Sequence, residues 1–287
     1  MSKIIDFHVH IDESEDASAG GVPVKMGRKE ILAGMEEAGI DVSVLLVMAQ
    51  GGEIQKTREQ NDWLASVCLE EPRFVGFGSV HPGDGSAALE EMDRCIKQLG
   101  LKGIKLHPDV QKFDCGDPAL VDVFKRAAKL DVPVTIDTYS PFDGQQPAKL
   151  LQAVLESPET KICLAHVGGF RFAEFGFYGL LKQRTPFDLN VYFDLSASCE
   201  WFYNTPFQEP FCWITQQLGP DNLLFGSDFP VRGPRVGSEF PLTPVKDILE
   251  MVRNFGYPEE WIPKILGGNA ARLLCLEAST LVEEGGG

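Results

Sequence analysis

The chain has 287 residues, 44% hydrophobic and 24% charged, which is the composition of a water-soluble protein with material for one large core or two modest ones. Lys and Arg number 26 against 42 Asp and Glu, and the formal charge of -16 argues against phosphate backbones and anionic membrane surfaces as partners. No apolar run approaches the roughly 18 residues a membrane helix needs, and Met1-Ser2-Lys3 leads into an apolar strand without a leader pattern, so a cytoplasmic location is expected.

Short β-rich apolar runs begin near residues 3, 42, 74, 102, 132, 161, 191 and 222, with cores such as IIDF, VSVLLVM, GIKL and VYFDLS. Most starts lie about 30 residues apart, the length of a strand, a loop and a crossover helix. Helical periodicity fills the gaps at 28–38, 57–70, 86–99, 118–129, 147–156, 207–218 and 244–252. Near-continuous apolar strands suit a parallel sheet buried on both faces. No G-x-G-x-x-G follows the first strand, and eight even units favour a closed (β/α)8 TIM barrel over a doubly wound open sheet. One domain over 1–280 is expected, with 281–287 a disordered tail. The seven cysteines stand singly, without C-x-x-C pairs, and read as free thiols in a reducing compartment.

In such a barrel the carboxyl ends of the strands carry the chemistry. The first strand ends in Asp6-Phe7-His8-Val9-His10, and the two-residue period of a strand turns both imidazoles to one face, close enough to share a metal ion. Alone, that pair reads equally as strand-end histidines. His81 ends the third strand, His107 the fourth in Gly103-Ile-Lys-Leu-His-Pro108, His166 the sixth in Ala165-His166-Val167-Gly168-Gly169, and Asp228 the eighth in Phe225-Gly-Ser-Asp-Phe-Pro230. Barrel closure would bring Asp228 beside His8 and His10. Imidazole nitrogens with a carboxylate and an open position for water are what a catalytic divalent ion requires.

These motifs, with the late Gly268-Asn-Ala-Ala-Arg-Leu-Leu274, run in family order along essentially the whole chain, which resembles the amidohydrolase superfamily in its amidohydrolase-related branch of metal-dependent TIM-barrel hydrolases and decarboxylases. The resemblance implies that His8, His10 and Asp228 approach the metal and that His166 polarises or protonates the substrate, or in some relatives ligates. It departs at the fifth strand, where many members carry a histidine ligand and this chain has Asp137 in Pro133-Val-Thr-Ile-Asp137. Asp137 could bind the ion through oxygen, giving a two-His, two-Asp site tolerant of Mn or Mg as well as Zn; the same change could weaken the site.

Lys105 shares a strand face with His107 and reads as a charge partner at the barrel mouth, the alternative being the carboxylated lysine of binuclear relatives. His107 is assigned to substrate contact, His81 to structure, and Asp194 to orienting a ligating imidazole. Tyr139, Arg171 and Arg232 are further substrate-binding candidates, with Arg235 nearby, since a guanidinium grips a carboxylate in two hydrogen bonds. The Phe-rich stretch around Arg171 reads as either a lining for an aromatic or unsaturated acid or, by preference, a packed lid or homodimer interface. The leading expectation is a mononuclear metal hydrolase of a small ester, lactone or amide. In it Asp228 would pass the proton of an activated water and His166 would stabilise the oxyanion. The alternatives are a non-oxidative decarboxylase and an inactive binding protein on the same fold.

Overall fold

Apolar runs buried on both faces become parallel strands only where a ring of neighbours satisfies every backbone N–H and C=O. The computed structural model describes residues 3–14, 16–19, 22–138, 144–184, 189–230 and 243–276. Its strands are β1 (Ile5–His10), β2 (Asp16–Ala19), β3 (Val22–Lys25), β4 (Val42–Leu46), β5 (Phe74–Ser79), β6 (Gly103–Leu106), β7 (Val134–Ile136), β8 (Ile162–Leu164), β9 (Val191–Asp194) and β10 (Leu223–Leu224). β1 and β4 to β10 form one eight-stranded sheet in sequence order, every recorded pairing parallel.

The ring closes just beyond β10. Phe7 N donates to Phe225 O at 2.9 Å, Asp228 N to His8 O at 2.9 Å and His10 N to Phe229 O at 2.8 Å, and Val9 forms a parallel bridge with Phe229. This is the single-domain (β/α)8 barrel expected from the sequence. A cluster joining Ile5, Phe7, Phe77 and Leu224 to Cys163, from strands on opposite sides of the ring, fills its interior. A larger cluster lies between the sheet and the helices.

The helices are α1 (Arg28–Ala38), α2 (Ile54–Glu70), α3 (Ser86–Lys97), α4 (Pro108–Gln111), α5 (Pro118–Leu130), α6 (Gln146–Leu155), α7 (Phe172–Arg184), α8 (Ser198–Phe202), α9 (Gln208–Leu218), α10 (Val245–Arg253) and α11 (Asn269–Leu273). Among the described residues no helix is long and apolar enough to cross a membrane. The cysteines are free, five of them buried.

Two elements depart from the sequence reading. The segment after the first strand contains the antiparallel hairpin β2–β3, and the segment after β8 carries a full helix, α7, where only a loop was expected. α7 has almost no amphipathic signal because its interior holds Gly176 and Gly179 among aromatics. Those glycines seat it on α9: a Cβ at Gly179 would lie 2.7 Å from Gln217 O.

Candidate active site at the barrel mouth

His8 stands at the centre of the mouth, fully buried. Its Nδ1 lies 3.0 Å from Asp194 Oδ2 and its Nε2 3.4 Å from Asp228 Oδ1. A carboxylate can only accept, so Asp194 fixes the proton on Nδ1 and leaves the Nε2 lone pair facing the mouth. Lys105, also fully buried, points its Nζ at that Nε2 from 3.2 Å. His10 Nε2 sits 3.1 Å from the same Asp228 oxygen. His10 Nδ1 is buried and has no hydrogen-bond partner among the described residues. Backbone geometry delivers Asp228 to this point: its φ of 59° is a left-handed turn, held by the Asp228 N to His8 O bond.

His166 approaches from the next part of the ring, its imidazole 4.9 Å from that of His8. The chain leaves β8 through two left-handed residues, His166 at φ 60° and Val167 at φ 48°, a costly conformation for a β-branched side chain. Neighbouring hydroxyls hold it there: Thr138 Oγ1 donates to Ala165 O and accepts from Gly168 N at 2.8 Å, and Ser198 Oγ donates to His166 O. The result aims His166 Nε2 at Asp137 Oδ2, 2.9 Å away, and His166 Nδ1 at Ser196 O, 3.0 Å away.

Both ring nitrogens of His166 therefore face acceptors, which describes an imidazolium. Burial alone would lower its pKa, but Asp137, Asp228 and Asp194 overcome that and raise it to about 10. Burial would likewise raise Asp137, yet His107, His166 and Lys105 hold its carboxyl well below the usual range. His107 Nε2 is 3.4 Å from the same Asp137 oxygen, while its Nδ1 accepts from Val110 N and caps α4. Burial, with the positive charge of Lys105, brings the pKa of His107 down to about 4 despite Asp137. Burial and Lys105 bring His8 to about 4 as well, against the pull of Asp194 and Asp228.

His8, His166 and Asp228 each offer one donor atom within 4.8 Å of the others, so a metal-binding arrangement exists here. The chemistry fits a divalent ion: the His8 Nε2 lone pair, oriented by Asp194, and an Asp228 oxygen converge, His10 is an under-satisfied buried imidazole beside them, and His166 would add its Nε2 only in a form that has lost the proton there. Asp137 is paired with the imidazoles of His166 and His107 and is not a member of that three-residue donor cluster. Asp6 turns away and accepts from Ser227 N at 2.8 Å and His8 N at 3.3 Å. Burial raises its pKa to about 7 against those bonds.

Of the substrate candidates, His107 faces Asp137, and Arg171 is paired with Glu174, Nε to Oε1 at 2.7 Å. Tyr139, Arg232, Arg235 and the 281–287 tail lie outside the described residues. His81 is held structurally, Nε2 donating to Gln111 O at 2.8 Å and Nδ1 accepting from Gly83 N at 3.0 Å. Three residues escaped the sequence reading. Gln111 ties the mouth loops together, its amide donating to Ala49 O and Val80 O and accepting from His107 N at 2.7 Å. Trp201 lies 6.1 Å from the His166 ring and stacks on Phe170 at 5.2 Å. Ser196 touches both central histidines. Only Ser196 carried a signal, sitting two residues past Asp194.

The family model described as amidohydrolase matches residues 5–276. The chain is 26% identical over 249 residues to the 2-amino-3-carboxymuconate-6-semialdehyde decarboxylase of Dictyostelium discoideum, a match covering 76% of this chain and 66% of that protein. It is 29% identical over 163 residues to the gamma-resorcylate decarboxylase of a Rhizobium species, covering 48% of this chain and 50% of that one. The chain thus spans half to about two thirds of the length of these relatives. A dihydroxybenzoic acid decarboxylase from a Polaromonas species, solved with bound manganese and 2-nitroresorcinol, superposes with a TM-score of 0.67 at 19% identity, covering 98% of this chain and 100% of that one, a likeness of fold. These relatives are decarboxylases, and that overturns the expected hydrolase of esters, lactones or amides. Histidines and a carboxylate around a divalent ion serve either reaction, so the motifs alone did not separate them.

Proposed function

This chain belongs to the amidohydrolase family, and from that premise we propose that it is a metal-dependent, non-oxidative decarboxylase of a small aromatic or unsaturated carboxylic acid. The names of its relatives support the reaction class, and a manganese-bound fold relative supports a divalent ion. The observation that carries the reading is the placement of His166, whose Nε2 lies 2.9 Å from Asp137 Oδ2 while its ring belongs to the cluster formed with His8 and Asp228.

His8, His10 and Asp228 would hold one divalent ion, manganese or zinc, with His166 at its edge. When bound, that ion would supply Lewis acidity toward a substrate carboxylate or a neighbouring hydroxyl. The carbon–carbon bond breaks with its electron pair remaining on the substrate carbon, and the Nε2 proton of His166 is delivered there to form the new C–H bond. Asp137 keeps that proton in place until it is needed, and the neutral His107 steadies Asp137 from its other side. The stacked pair Trp201 and Phe170 supplies a flat apolar wall suited to a conjugated substrate and keeps water from the carbanion. Asp228 serves as ligand here, with no water to activate.

Protein loaded with Mn²⁺ or Zn²⁺ and offered hydroxybenzoates and conjugated dicarboxylates in D2O is expected to release CO2, place one deuterium at the vacated carbon, and incorporate no oxygen from water into the organic product. Absence of CO2 across the panel from metal-loaded protein, or label from H2¹⁸O in that product, would reject the proposal.

A further inference from the structure

Ser196 follows β9 and is fully buried. Its Oγ lies 2.9 Å from His166 Nδ1 and 3.2 Å from His8 Nδ1, and it donates to Asp194 Oδ1. A hydroxyl has one proton. Asp194 takes that proton, being able only to accept, so toward the two imidazoles the oxygen has only lone pairs to offer. The remaining neighbours agree: His8 Nδ1 also faces Asp194 Oδ2 and His166 Nδ1 also faces Ser196 O. Proton counting thus puts an N–H on both Nδ1 atoms.

The meeting itself depends on a gap in the ring. His8 comes from β1 and Ser196 from the end of β9, and β10 stands between them. At that level the intervening residue is Gly226, where a Cβ would fall 2.8 Å from His8 Cβ and 3.0 Å from Ser196 Cβ. Only a residue without a side chain lets the two flanking strands touch.

We propose that Ser196 is a positioning residue whose single hydroxyl is the shared acceptor of both Nδ1–H groups, locking the metal-side imidazole of His8 and the proton-side imidazole of His166 into one unit with both Nε2 atoms turned to the mouth. The assignment of those two sides rests on the decarboxylase reading, whereas the shared hydrogen bond does not. Ser196 acts through the histidines and needs no contact with substrate.

The test uses full-length protein with ¹⁵N-labelled histidine. In metal-free wild type the Nδ1–H protons of His8 and His166 are expected far downfield, and Ser196→Ala is expected to move both upfield together. Manganese affinity, read from free Mn²⁺ by electron paramagnetic resonance, is expected to weaken by about 10–100-fold in Ser196→Ala and to recover to within about threefold in Ser196→Thr, which keeps the hydroxyl. If only one imidazole signal moves, or neither does, the hydroxyl is not shared and the proposal falls. It also falls if Ser196→Ala keeps wild-type manganese affinity, or if Ser196→Thr binds as weakly as Ser196→Ala with Tm unchanged. Failure of the decarboxylase reading would appear separately, as a wild type that releases no CO2.

Discussion

Replacing Asp137 by Asn removes one negative charge while keeping the shape and an acceptor oxygen for His166. Two unit charges 2.9 Å apart, at the effective dielectric of about 20 that describes buried protein sites, attract by about 6 kcal/mol. At 1.36 kcal/mol per pKa unit this corresponds to about four units. His166, raised to about 10 in the wild type, should then titrate near the ordinary histidine value of roughly 6.5 in Asp137→Asn. The measurement is a ¹⁵N titration of the His166 ring in metal-free protein. Wild type should keep the doubly protonated ring through pH 9, whereas the variant should lose it through pH 6–7. Because His166 is raised when folded, the stability it contributes is complete below about pH 6.5 and disappears as pH climbs through 10. The variant should therefore also lose the alkaline decline in Tm that this group causes in wild type. A His166 ring still doubly protonated at pH 9 in Asp137→Asn would refute the assignment of Asp137 as the anion that holds the proton.

Asp194→Ala leaves the His8 Nδ1–H without its carboxylate, and manganese affinity should fall by about 10–100-fold with the barrel intact by circular dichroism. Gly226→Ala forces a Cβ between His8 and Ser196 and should cost about 1–3 kcal/mol, read as a lower Tm, together with weakened metal binding. In metal-free protein, His8 and His107 have pKa values lowered to about 4, so the unfolded chain binds protons that the folded one refuses between about pH 6.5 and 4. Each contributes at most about 3 kcal/mol that is present above pH 6.5 and lost as pH falls through that window. Asp6, raised to about 7, opposes one of them, since its contribution grows as pH falls. Tm should still drop on acidification, and Asp6→Asn should steepen the drop.

The barrel was legible because its signals are local. Apolar runs spaced about 30 residues apart mark strands buried on both faces, and the starts of β4, β5 and β9 coincide with the predicted residues. Histidines at strand ends were legible for the same reason, since position along a strand decides which end faces the mouth. α7 was not, because Gly176 and Gly179 serve a neighbour, α9, that local periodicity cannot reveal. Asp137 shows the limit most clearly. Its place at the end of the fifth strand marked it as a polar group of the mouth, but its partners, His166 and His107, are chosen by the shape of the mouth, and the left-handed turn at His166 is what lets that imidazole reach it. Ser196 was missed although it sits two residues past Asp194, because its role comes from two imidazoles that distant parts of the chain, β1 and the turn after β8, bring to it.

The backbone bonds that join Asp228 to His8 and Phe225 to Phe7 have a consequence for biosynthesis. The first strand leaves the ribosome early, yet its open edge stays unpaired until the eighth barrel strand, more than two hundred residues later, has emerged to cover it. Until then His8 and His10 lack the Asp228 carboxylate that lies against them in the closed barrel. Closure of so distant a pair is slow relative to local contacts, so this cluster is assembled late, and a nascent chain stopped before residue 223 offers a sheet edge prone to pairing with other chains.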